Sequence, residues 1–174
     1  MSGLRSASRV TVCLLLVAIA TLGLAPPAHA APQSQIYCSL AAQVTFSPGL
    51  SMTPAAQSFS GSGPIACARK PASALTGTIS FTGTTSPQDA CATGAGSGTF
   101  SARLAGTASL TLTGRFTFLR EGPVVDGPVT LTDDDSGFGN LHTVLVPTPG
   151  QTCLSTPVTS GVLTGALNAK GTIQ

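Results

Sequence analysis

The chain has no tryptophan and a single tyrosine, and only 8% of its residues are charged. Sugar-binding clefts are commonly floored by indole and phenol rings, so a lectin surface is poorly supplied. Basic side chains are too few for a stripe that neutralises a run of phosphates, which excludes nucleic-acid binding. No long segment keeps an apolar period of 3.6, so helix signals are nearly absent and no basic amphipathic helix is available for a membrane surface. A Cys-x-x-Cys pair and a Gly-x-Ser-x-Gly elbow are both missing, which removes the usual frames for zinc and for a serine nucleophile. Nothing in the sequence calls for a cofactor.

What is present begins with a targeting signal. Arg5 and Arg9 open the chain, an apolar run follows from Val10 to Ala25, and Ala28 and Ala30 form a small-residue cleavage site. This order is that of a secretory signal peptide over 1–30, with cleavage expected after Ala30. No second apolar span follows, so the mature chain is expected outside the cell without a membrane span. Residues 31–174 then form one domain, long enough to bury a core. Its charges balance: Arg69, Lys70, Arg103, Arg115, Arg120 and Lys170 stand against Asp89, Glu121, Asp126, Asp133, Asp134 and Asp135.

Alternation with period two dominates this domain. Ile36, Cys38, Leu40, Ala42, Val44 and Phe46 share one face of a segment. Leu110, Leu112, Phe116 and Phe118 share another, with Thr111, Thr113, Arg115 and Thr117 opposite. One face buried and one face wet is the mark of antiparallel sheet. Strands are expected near 36–46, 56–66, 76–84, 97–105, 107–120, 123–132, 138–147 and 158–173, the last as one bent strand or two. Turn chemistry lies at Ser47–Leu50, Glu121–Pro128 and Thr148–Gln151. The fold class is therefore all-β: a single antiparallel domain of about eight strands, up-and-down and barrel-like, with a two-sheet sandwich as the alternative.

The segment Tyr37–Cys67, with its Phe46-Ser-Pro-Gly-Leu50 turn, together with "SGTFSARLAG", "VVDGPVTL" and the final "GTI", resembles a family of small, exported, disulfide-containing β-rich proteins of actinobacteria. The resemblance covers most of the mature chain and implies no activity. That family often carries a tryptophan after the Ser-Gly-Thr step; this chain has none.

Four cysteines, Cys38, Cys67, Cys91 and Cys153, read as two disulfides in an exported chain. Cys38 opens the first strand and Cys67 closes the second, so a hairpin brings them together and leaves Cys91 for Cys153. Asp133–Asp135 fail the EF-hand pattern, since glycine and phenylalanine fall at positions five and six. They are expected to form a solvated turn, with Asp133 and Asp135 as weak calcium candidates and Arg115 or Arg120 as possible counter-charges. His142 is the sole mature histidine and has no marked nucleophile. Glu121 and Asp126 flank a Gly-Pro turn and read as exposed hairpin ends. Phe46, Phe59, Phe81, Phe100, Phe116, Phe118 and Phe138 either fill the core or line a pocket for one small apolar ligand. The expected function is a secreted, non-enzymatic β-domain that binds an extracellular partner or a small apolar ligand, or serves structurally. The rival is an exported hydrolase using His142 or the Asp133–Asp135 carboxylates.

Overall fold

The computed structural model describes residues 34–172 apart from 71–72, 107–108 and 133–135. The regular elements among them are strands: β1 (Ser34–Leu50), β2 (Ser58–Lys70), β3 (Ser73–Thr85), β4 (Thr93–Ala105), β5 (Leu110–Glu121), β6 (Val124–Thr132), β7 (Ser136–Pro147) and β8 (Val158–Thr172). Each pairs antiparallel with the next, and β1 pairs with β8, closing an up-and-down barrel. The two-sheet sandwich is thereby set aside. β8 is one strand. Ser47–Leu50, which reads as a turn in the sequence, instead continues β1. Buried Leu50 pairs with Val158 across a register shift that absorbs Pro48 and Gly49, and the connection to β2 falls at 51–57.

The two-residue period decides which side chains go inside. Along β5, Leu110, Leu112, Phe116 and Phe118 are buried, while Thr111, Arg115 and Thr117 are exposed. The outer face of β5 thus carries hydroxyls and a guanidinium, with Leu119 exposed beside them. No helix among the described residues is long and apolar enough to cross a membrane.

The interior is filled by a repeated pairing of phenylalanine with glycine. Phe59 faces Gly83 and Phe81 faces Gly61 across the β2–β3 ladder; Phe100, Phe116 and Phe118 face Gly114, Gly98 and Gly96 across β4–β5. A ring can lie flat over a strand only where the opposite residue lacks a side chain. Phe59 is the hub, with its ring centroid 5.7 Å from that of Phe118 (edge-on), 6.2 Å from Phe116 and 6.4 Å from both Phe81 and Phe46. Such tilted pairs place ring edges on ring faces, as the aromatic quadrupole prefers. Towards the other end the lumen is aliphatic, with Ile36, Leu75, Leu104 and Leu110 beside the inward-facing Cys38–Cys67 disulfide, whose cysteines are direct cross-strand partners.

The two ends of the barrel differ. The connections 51–57, 86–92, 122–123 and 148–157 all gather at one end. There Ala55 N–H donates to the Asp89 carbonyl (3.0 Å), Cys91 N–H to Ser51 (2.9 Å) and Gly122 N–H to Ala92 (2.7 Å). Cys91–Cys153 ties two of these loops covalently. Gly122, at φ 55°, opens the two-residue turn to β6, a positive-φ position suited to glycine. The Asp133–Asp135 segment lies outside the described residues; the strand ends flanking it, Thr132 and Ser136, belong to the opposite end.

Candidate functional site

Beneath the gathered loops lies a buried polar cluster. Asp89 has no exposed surface and Arg120 is 4% exposed. Arg120 is the next inward position of β5 after Phe118, so its guanidinium rises from the phenylalanine layer into the loops. Its Nη2 donates to Asp89 Oδ1 (2.8 Å) and to the Ala90 carbonyl; its Nη1 donates to the carbonyls of Cys91 (2.7 Å) and Gly122 (3.2 Å). One guanidinium thus ties the β3–β4 loop to the β5–β6 turn, using the fixed fork of donors that lysine lacks. Beside it, Thr85 Oγ1 donates to Gln57 Oε1 (2.7 Å) and accepts from the Gln57 backbone N–H (2.9 Å).

Burial pushes the Asp89 carboxyl up from its ordinary value, against the lowering influence of Arg120, through hydrogen bond and charge, and of the nearby Thr85 hydroxyl. Thr85 has one proton; with it on Gln57 Oε1, Asp89 Oδ2 and Gln57 Nε2 are both buried without a partner, a condition rare enough in folded proteins to call for a cause.

Asp89, Arg120 and Thr85 form the polar end of an otherwise apolar cavity of about 60 Å³ in the lumen. Phe59, Phe116, Phe118, Val129, Leu145 and Thr143 are among its walls. The volume is decisive. Pockets for drug-sized ligands run to roughly 300–1,000 Å³, and a dry cavity of about 150 Å³ holds benzene. The lumen therefore has room for only a few heavy atoms.

The residues marked out by the sequence are scattered by comparison. Six of the seven phenylalanines line the cavity, but Phe138 does not. It lies on the outer wall, 72% exposed, because β7 places Leu141, Thr143 and Leu145 inside and the even positions outside. His142 is likewise outside, 67% exposed, with its Nδ1 against Asp126 Oδ1 on β6, itself 54% exposed. Its cross-strand neighbours are Asp126 and Ala166, and the same-face neighbours on its strand are Asn140 and Val144. None of these offers a hydroxyl to activate. Glu121 and Asp126 are exposed on the outer wall. Arg120 is committed to Asp89 at the looped end; Asp133–Asp135 lie outside the described residues. Among the described residues no three His, Cys, Asp or Glu side chains gather as a metal site.

Asp89, Gln57 and Thr85 were not marked out by the sequence reading. The signal that existed was Arg120, a charge at an inward position of β5 that requires a buried partner. That partner stands 31 residues away in sequence, and no local pattern joins them.

The fold and site define a closed eight-stranded antiparallel barrel with a small apolar lumen and a polar cap. No protein-family model matches the chain, and no curated protein or solved structure is found to match it either.

Proposed function

We propose that the chain is an exported, non-enzymatic binding domain that takes a small, largely apolar molecule into its barrel. The observation that carries this reading is the apolar cavity of about 60 Å³ walled by phenylalanine and closed at one end by buried polar side chains. Eight strands is the barrel size at which side chains either fill the lumen or leave space for one small ligand. Export rests on the signal pattern of residues 1–30, and the two disulfides are compatible with an extracellular location. The likeness to small exported actinobacterial proteins is part of the same reading.

The test is ligand-observed NMR of the mature domain with hydrocarbons of three or four carbons, followed by chemical-shift mapping. Saturable binding that shifts Phe59, Val129 and Leu145 is expected; no binding of any of them defeats the reading. The rival, an exported hydrolase, has in its favour the Asp126–His142 pair. Turnover in a broad hydrolase panel that His142→Ala abolishes would establish it; no turnover is expected.

A further inference from the structure

The polar end of the cavity specifies more than an apolar guest, and this inference rests on the binding reading above. Thr85, Gln57, Asp89 and Arg120 form one buried network in which donors and acceptors can be counted. Arg120 spends its bonds on Asp89 Oδ1 and three loop carbonyls. Thr85 spends its only proton on Gln57 Oε1. Asp89 Oδ2, on a cavity-lining residue with no exposed surface, is left without a donor. Turning the Gln57 amide over does not cure the deficit: Thr85 is then free to donate to Asp89, and Gln57 Oε1 becomes the oxygen without a donor. Either way the network is short of one donor.

The missing donor must be neutral. Asp89 is already neutralised by Arg120, so an ammonium entering the cavity would bring an uncompensated positive charge next to the guanidinium in a low-dielectric lumen. A hydroxyl, of water or of an alcohol, meets the requirement without charge. The rest of the cavity asks for hydrocarbon, and its volume limits that hydrocarbon to a few carbons. We infer that the barrel lumen binds short-chain alcohols, with the hydroxyl on Asp89 Oδ2 and the alkyl chain against Phe59, Phe116 and Phe118.

The experiment uses 1-propanol, its isomer ethyl methyl ether, and n-butane, each with four heavy atoms, titrated into the intact disulfide-bonded domain. Affinity is read by NMR together with nuclear Overhauser contacts from the ligand. The alcohol is expected to bind about tenfold tighter than the ether, which accepts a hydrogen bond but cannot donate one. A dry apolar cavity would give the reverse order, with butane first. Gln57→Leu frees the Thr85 proton for Asp89 while leaving the Arg120 pair intact, so it is expected to abolish the preference for alcohol and keep butane binding. Equal or reversed affinities in the native protein overturn the alcohol site and leave the apolar-ligand reading standing. Failure of all three probes to bind overturns both.

Discussion

Arg120 continues the inward row of Leu110, Leu112, Phe116 and Phe118, and its burial dictates the chemistry around it. A desolvated guanidinium needs an opposite charge and acceptors for its remaining protons, and Asp89 with the loop carbonyls supplies them. The pair also links stability to pH. The folded Asp89 carboxyl is raised above its unfolded value, so the folded chain binds more protons than the unfolded chain in the interval just above the ordinary carboxylate range. Stability from this group is therefore greatest in acid and falls as pH rises through that interval. Thermal midpoints of wild type and Asp89→Asn across pH 3–7 check this: the wild type should lose stability relative to the variant as pH rises through that interval. Arg120 was open to recognition as a charge out of place on an apolar strand face. Asp89 was not, since its burial is created by loops whose packing no period encodes.

At the scale of the element, the alternation of apolar and hydroxyl residues made the strands legible, and the frequent glycines pointed to a barrel. Their inward pairing with phenylalanine depends on register across two strands, which a single segment does not contain. A methyl group at Gly114 would lie 2.5 Å from Phe100 Cε1 and 2.7 Å from the Thr130 carbonyl oxygen. Gly114→Ala is therefore expected to destabilise the barrel by about 1–3 kcal/mol through overpacking. Phe100→Leu in the same chain should recover part of that loss, giving a measurable coupling energy in a urea-denaturation double-mutant cycle. Phe138 marks the limit of the approach: as one of seven phenylalanines it looks like core, and only the phase of β7 reveals that it faces out. The turn at Ser47–Leu50 misled for a related reason. Pro-Gly chemistry is local, whereas the pairing of Leu50 with Val158 is not.

For the whole molecule, the looped end is where separate hairpins become one object. Cys91 and Cys153 close a separation of 62 residues, for which loop-closure entropy gives about 4 kcal/mol of stabilisation relative to the uncrosslinked chain. Replacing both by alanine should lower stability by about that amount in urea titration. If Asp89–Arg120 already holds the loops, the variant should still show the native pattern of interior NMR shifts. Closure also bears on the balanced charge of residues 31–174, which provides little self-repulsion. A cylinder has no open strand edge to recruit another chain.

The β1–β8 ladder makes Ser34 and Gly171 direct neighbours in the wall, so the order in which the eight strands are translated is only one of several that satisfy the same cylinder. A gene that joins β8 to β1 through a short glycine-serine linker and begins instead at β5 encodes the same neighbour pairs, the same inward row and the same two disulfides. Such a circular permutant should fold, with Cys38–Cys67 and Cys91–Cys153 recovered by non-reducing peptide mapping. Its folding rate, more than its stability, should register the change, because the strands that must find each other across the longest loop would no longer be β1 and β8 but β4 and β5.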